Sequence, residues 1–181
     1  MLASRGQLRA SFLRWALLTV PLCLLGLIPG ALWSADTAWF QSLDKPAIFP
    51  PGYLFGIVWP ILYVLMGLAF ALVCAAWGAK GRTAAIVVFL IQLALNFAWT
   101  PTFFGFYQMT AALVIIATLS ILVLATTVLF WRVRALAGAL MLPYLAWVVF
   151  ATALNFQFLQ LNPEADGGFE GGATDRIRIA D

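Results

Sequence analysis

The sequence predicts an all-α integral membrane protein, a bundle of five transmembrane helices, on two observations. Of the 181 residues, 64% are hydrophobic and only 9% are charged, against roughly 25% charged residues in an ordinary soluble domain. This composition excludes a water-soluble fold. In addition, four charge-free stretches run for 21, 34, 49 and 29 residues, and a helix needs about 20 apolar residues to cross a bilayer.

The first predicted span lies near residues 12–33 and follows Arg5, Arg9 and Arg14. A cleaved signal peptide has a similar pattern. However, the apolar run is long for a signal peptide, and Trp33-Ser34-Ala35 is a poor cleavage site. We therefore interpret this segment as a retained helix.

The other charge-free stretches predict four further spans. The stretch of 49 residues is too long for one helix, and Thr100-Pro101-Thr102 and Gly105-Phe106-Tyr107-Gln108 interrupt it, which predicts two helices joined by a tight turn. No span shows a sustained alternation of polar and apolar residues, which favours helices over the strands of a membrane barrel. The four further spans lie near 53–78, 83–104, 109–131 and 135–160. Together with the first span, they form one predicted transmembrane domain over 1–161.

Basic residues in the short connections predict the orientation of this multi-pass protein. Seven lysines and arginines lie on the amino-terminal side of the bundle, whereas only Lys45 lies close to a span on the other side. Because basic residues accumulate in inner loops, the amino terminus is predicted inside and the carboxyl terminus outside. Residues 162–181, acidic and rich in glycine, predict a disordered tail.

Composition also excludes several kinds of chemistry. The chain has no histidine, and its two cysteines, Cys23 and Cys74, are isolated in apolar segments, so the sequence predicts no metal site and no disulfide framework. No Asp, Glu, Lys, Arg or His lies well inside a span, which disfavours a proton-driven transporter. The basic residues form no patch large enough to bind nucleic acid.

Helical periodicity places aromatic and amide side chains on three faces that meet in one half of the bundle. All three faces lie in the predicted outer half, beneath the long connection 34–52, whose aromatic residues and prolines are typical of a lid or of an interfacial belt. A cavity there would suit a large, flat, apolar ligand, whereas the alternative is that the tryptophans are belt residues. The three faces are Phe55, Trp59 and Leu62; Asn96, Trp99 and Phe103; and Trp147, Ala151 and Leu154.

Buried amides and small residues add two expectations. An amide such as Asn96 either bonds to another helix or faces the cavity, because an unpaired polar group in hydrocarbon is costly. Small residues four positions apart allow helices to approach closely and favour a homodimer. They occur at Gly26–Gly30, Gly52–Gly56 and Ala94–Ala98.

Four ordered blocks of residues resemble the family of tryptophan-rich sensory proteins and translocator proteins, which includes the peripheral-type benzodiazepine receptor. The resemblance covers roughly residues 12–160. The blocks are Trp39-Phe40-Gln41-Ser42-Leu43-Asp44-Lys45-Pro46; Pro50-Pro51 with Val58-Trp59 and Leu62-Tyr63; Ala94-Leu95-Asn96-Phe97-Ala98-Trp99 with Phe103-Phe104-Gly105; and Pro143-Tyr144-Leu145-Ala146-Trp147 with Leu154-Asn155.

The resemblance implies a five-helix bundle, often dimeric, that binds porphyrins such as protoporphyrin IX beneath the first long loop, with no tightly bound cofactor. In some relatives a tryptophan pair, here Trp59 and Trp147, is linked to light-dependent breakdown of porphyrin and would then be catalytic. Carried over by motif position, the ligand-binding residues are Phe55, Gly56, Val58, Trp59, Asn96, Trp99, Trp147, Ala151 and Leu154.

The chain also departs from the family pattern. The loop of the family often has a tryptophan between its Lys-Pro and Pro-Pro pairs, but this chain has Ala47-Ile48-Phe49 there. A stacking surface is therefore either lost or moved to Phe49. The carboxyl-terminal cholesterol motif of animal members is also missing, since Leu154 is not followed by the required tyrosine and basic residue.

Three functions follow in order of preference. The first is a membrane receptor or carrier for porphyrins and other flat apolar molecules. The second is an enzyme that degrades porphyrin with light and oxygen, the chemistry residing mainly in the porphyrin. The third is a transporter of tetrapyrroles or sterols, for which the repeated tetrapeptide Ala-Leu-Asn-Phe at 94–97 and 153–156 is weak support.

Overall fold

A computed structural model describes residues 5–168, with Arg5 described by its backbone alone, and it is all α over this range. Five helical segments are long and apolar enough to cross a membrane, which confirms the five predicted spans; they are Gly6–Leu32, Tyr53–Cys74, Arg82–Gly105, Met109–Val133 and Ala135–Leu161. The helices are α1 (Arg5–Leu24), α2 (Leu27–Leu32), α3 (Ala38–Ser42), α4 (Tyr53–Cys74), α5 (Arg82–Thr100), α6 (Met109–Val133) and α7 (Ala135–Leu161).

Two of the spans are not single regular helices. The first is broken between α1 and α2 at Leu25 and Gly26. The third continues from α5 into a π-helical turn over Pro101–Gly105, and the chain then reverses at Tyr107, whose φ is +58°. The proline and glycine that predicted a turn here therefore widen the helix before the chain leaves it.

The helices surround a main apolar core, and a second apolar cluster includes Trp39 and Phe40 of α3. The bundle has two chemically different ends. Helix α4 packs against α1 and α7, and α6 packs against α5 and α7. We call the end that carries the connection 34–52, the α5–α6 turn and residues 162–168 the loop end. The opposite end, with the α4–α5 and α6–α7 turns, carries most of the lysines and arginines, and we call it the basic end.

Glycine lets α1 and α4 approach closely. A Cβ atom on Gly67 would lie 2.6 Å from the Cα atom of Val20, and the hydroxyl of Thr19 donates to the Gly67 carbonyl at 2.8 Å. Gly26 similarly faces the ring of Tyr63, 2.3 Å from a built Cβ. No atom lies within 4 Å of a Cβ atom built on Gly30, Gly52 or Gly56. These glycines therefore make no close helix contact within the described residues, and the self-association expected from them stays a prediction.

Replacing Gly67 by alanine is expected to destabilise the bundle. The obstructing atom is backbone, so α1 must move away from α4, which we expect to cost about 1–2 kcal/mol. Thermal unfolding in detergent should show a lower Tm for Gly67→Ala. On the same helix, Gly56→Ala is the matched control and should leave the Tm unchanged or raise it, because alanine favours helix. Equal Tm values for the two variants would contradict the close packing of α1.

The start of the predicted disordered tail is ordered in the structure. Pro163–Ala165 form a turn of 3₁₀ helix after α7, and Asn162 is buried. Polar residues are held here by hydrogen bonds to the loop end rather than by apolar burial, which explains why composition predicted disorder. The rest of the predicted tail, 169–181, lies outside the described residues.

Candidate functional site

A line of aromatic rings runs from the connection 34–52 into the bundle. Phe49 lies 5.8 Å from Phe55, measured between ring centroids, and Phe55 meets Trp147 edge to face at 5.7 Å. Trp147 in turn meets Trp59 at 6.5 Å, almost perpendicular to it. The rings therefore join the loop, α4 and α7 into one aromatic surface.

The connection 34–52 is folded onto the loop end by its own aromatic residues. Trp39 and Phe40, on the short helix α3, are only 1% and 4% exposed, and they pack against Phe103 with centroid distances of 5.8 and 6.5 Å. The hydroxyl of Thr37 caps α3 by accepting from the Phe40 amide at 3.2 Å. The ammonium group of Lys45 donates to carbonyls at the other end of α3, among them Phe40.

Residues 162–168 tie this loop to the bundle. The side chain of Asn162 accepts from the Asp44 amide at 2.7 Å and donates to the Asp44 carbonyl at 3.0 Å. The indole N–H of Trp39 donates to the Ala165 carbonyl at 3.0 Å. The carboxylate of Asp166 accepts from the Met109 amide at 2.6 Å, and so caps α6. We call residues 162–168 the strap.

Beneath the aromatic surface, a chain of hydrogen bonds connects α4, α5 and α7. The hydroxyl of Tyr63 donates to Asn96 Oδ1 at 2.7 Å, and Asn96 Nδ2 donates to the hydroxyl of Tyr144 at 2.9 Å. That hydroxyl donates to Gln92 Oε1 at 3.1 Å. Because Tyr63 also stacks on Trp59 at 5.4 Å, this polar network supports the aromatic surface from below.

Two donors at this level lack a partner among the described residues. They are Trp147 Nε1 and Gln92 Nε2, and both atoms are buried. A buried donor without an acceptor is costly, since it loses its bond to water and gains nothing in return. Trp147 contacts Phe55 and Trp59, so one of these two donors belongs to a side chain of the aromatic surface.

The structure brings together some of the predicted site residues and separates others. Phe55, Trp59 and Trp147 are in mutual contact, and Ala151 and Leu154 are buried on the same helix as Trp147. Val58 is half-buried against the core. The remaining three residues are positioned differently.

Asn96, Trp99 and Gly56 differ most from the expected arrangement. Asn96 bonds to two other helices, which is the interhelical alternative considered from the sequence. Trp99 donates to Asn155 Oδ1 at 3.0 Å and stacks on Phe103 at 5.4 Å, so it belongs to the packing under α3. Gly56 is exposed, with nothing within 4 Å of a built Cβ.

Comparison with known proteins identifies the family. The sequence pattern of the TspO/MBR family matches residues 17–161. The chain belongs to the TspO/MBR family. It is 41% identical over 149 residues to the tryptophan-rich protein TspO of Chlorobaculum tepidum, which covers 81% of this chain and 94% of the relative.

Two further relatives support this assignment. The human translocator protein is 43% identical over 120 residues, or 65% of this chain and 71% of its own length. The protein CrtK of Rhodobacter capsulatus is 39% identical over 135 residues, or 74% of this chain and 84% of its own length. Together with the five apolar helices, the family makes this chain an integral, multi-pass membrane protein.

Proposed function

We propose that this TspO/MBR protein is a membrane receptor or carrier that binds porphyrins and other flat apolar ligands beneath the connection 34–52. The observation that carries the proposal is the aromatic surface of Phe55, Trp59 and Trp147, at which the indole N–H of Trp147 is buried without an acceptor among residues 5–168. Aromatic faces attract a flat conjugated ring. A carbonyl or carboxylate on the ligand would supply the missing acceptor.

Phe49 takes the place of the loop tryptophan common in the family. Its ring contacts both Phe55, at 5.8 Å, and Phe158, at 5.5 Å, so the loop keeps an aromatic face toward the site. Because these rings touch one another, a ligand as large as a porphyrin must separate them. We expect the loop to shift rather than the helices, since α4 packs against α1 and α7, and α7 packs against α6 as well.

Replacing Trp147 by phenylalanine tests the proposal. The variant keeps an aromatic ring but loses the N–H, and we expect the Kd for protoporphyrin IX to rise about tenfold, the equivalent of about 1.4 kcal/mol. Titration of the detergent-purified protein in the dark, followed by tryptophan quenching, measures the Kd. Trp131→Phe at the exposed basic end is the control and should bind as the parent does. The absence of saturable quenching in the parent protein would overturn the proposal.

A second candidate function is light-dependent degradation of bound porphyrin. It is favoured by the 6.5 Å separation of the Trp59 and Trp147 rings, which would place two oxidisable indoles beside one ligand. The same samples distinguish the two functions under illumination in air. Bleaching of the porphyrin that depends on Trp59 and Trp147 indicates an enzyme, whereas an unchanged spectrum with retained binding indicates a receptor or carrier.

A further inference from the structure

We propose that the basic end of the bundle holds the headgroup of an anionic phospholipid in a cleft between α1 and the α4–α5 turn. The cleft has a volume of about 460 Å³, and its walls include Arg14, Trp15 and Trp77. Its remaining sides are lined by Gln7, Ala10, Ser11 and Leu18. It lies at the opposite end of the bundle from the aromatic surface beneath the loop, so it is a separate site.

The cleft offers hydrogen-bond donors that the described residues leave unused. The exposed guanidinium of Arg14 has no hydrogen-bond or ion-pair partner within residues 5–168, and the indole N–H groups of Trp15 and Trp77 donate to no atom of that part of the chain. Guanidinium and indole N–H groups suit the oxygens of a phosphate ester. The cleft is therefore chemically matched to a phosphodiester.

Trp77, which forms one wall of the cleft, is held in place by Arg82. The guanidinium of Arg82 lies 4.3 Å from the ring centroid of Trp77. The same group donates to the Cys74 carbonyl at 2.8 Å, so it fixes the indole against the end of α4. Trp77 also meets Trp15 at a centroid distance of 6.3 Å. Since Trp77 is 70% exposed, these contacts order a large apolar side chain that the protein otherwise leaves uncovered.

The distribution of charge favours an anion at this end. All four carboxylates within residues 5–168 lie at the loop end, in the connection 34–52 or in the strap. The basic end therefore has a positive potential that no described carboxylate offsets, and anionic lipids are attracted to such clusters. The described basic side chains at this end are Arg9, Arg14, Lys80, Arg82, Arg132 and Arg134.

The surroundings of the cleft favour a lipid over a free phosphate. Directly beside Arg14, the side chains of Leu17 and Leu18 are 75% and 65% exposed on α1. In a membrane protein, such a surface is covered by acyl chains. A phospholipid can place its phosphate at Arg14 and its chains along α1, whereas inorganic phosphate has no apolar part to occupy this surface.

Native mass spectrometry of the full chain tests the site with phosphatidylglycerol and phosphatidylcholine of identical acyl chains. The parent should retain phosphatidylglycerol preferentially, and Arg14→Gln should weaken this binding about fivefold, as expected for about 1 kcal/mol from one basic residue at the membrane surface. Arg132→Gln removes the same charge at the same end, outside the cleft, and should change the affinity less than twofold. Trp77→Ala should weaken binding as Arg14→Gln does.

Three results would overturn the proposal. Equal retention of the two lipids would show that the cleft does not select an anion. Equal effects of Arg14→Gln and Arg132→Gln would show a diffuse attraction to the basic end rather than a site. Displacement of phosphatidylglycerol by millimolar inorganic phosphate would show that the cleft binds free phosphate. Melting curves of each variant confirm that the altered side chains, which are exposed, leave the fold intact.

Discussion

Replacing Asn96 by leucine is expected to lower the free energy of unfolding by about 2–3 kcal/mol, because two buried hydroxyl groups lose a partner. Asn96 accepts from Tyr63 and donates to Tyr144, and leucine, of similar size, can do neither. Tyr63 keeps one weak contact, to the Gly26 carbonyl at 3.3 Å. Hydrogen bonds between membrane helices contribute on average less than about 1 kcal/mol each, so the expected loss comes mainly from the groups left unpaired.

Unfolding in mixed micelles with increasing denaturing detergent measures this loss. The matched control is Gln157→Leu, which removes an amide with no hydrogen bond among the described residues and should change stability little. A double-mutant cycle of Asn96→Leu with Tyr144→Phe isolates the bond between the two side chains. Additive effects in that cycle would show that the network is not coupled as the structure indicates.

The same substitution connects stability with the proposed function. Tyr63 stacks on Trp59 at 5.4 Å, so loss of its bond to Asn96 frees a side chain that supports the aromatic surface. We therefore expect Asn96→Leu to weaken porphyrin binding indirectly, through Tyr63 and Trp59. Restoring an amide with Asn96→Gln should recover less than the parent affinity, since the longer side chain displaces one of its two partners.

The sequence predicted the number and approximate limits of the spans because that information is local. Charged residues are excluded from the hydrocarbon core, so Arg82 and Arg134 mark the starts of the third and fifth spans directly. The break between α1 and α2 was missed, because Gly26 is one apolar residue among many. The glycine itself is required by tertiary packing, because the ring of Tyr63 occupies the space that a side chain at position 26 would need.

The candidate site was only partly predictable for a related reason. Helical phase gives the face on which Trp59 and Trp147 lie, and the structure places these two rings in contact. Phase does not give the partner of a polar side chain. The sequence therefore left two alternatives for Asn96, and it did not indicate that Asn155, 56 positions away, accepts the N–H of Trp99.

The strap was not predicted because its contacts are long-range. Asn162 bonds to Asp44, 118 positions earlier, and Asp166 bonds to the start of α6, 57 positions earlier. Its composition is polar and rich in glycine, which is typical of disorder. No local pattern indicates that one carboxylate in such a segment caps a distant helix.

Replacing Asp166 by alanine is expected to increase the rate of porphyrin association about tenfold. The substitution removes the carboxylate that caps α6 through the Met109 and Thr110 amides, and loss of such a cap costs about 1–2 kcal/mol. The rest of the strap would then detach more often from the loop end. Because Asn162 and the Ala165 carbonyl hold Asp44 and Trp39, the connection 34–52 would open with it.

Stopped-flow quenching with protoporphyrin IX measures the association rate. Glu164→Ala is the matched control. It removes the same charge two residues away, and the side chain of Glu164 has no hydrogen bond among the described residues. Asp166→Asn, which keeps an acceptor but not the charge, should lie between the parent and Asp166→Ala. Equal rates for Asp166→Ala and Glu164→Ala would show that ligands reach the aromatic surface without displacing the strap.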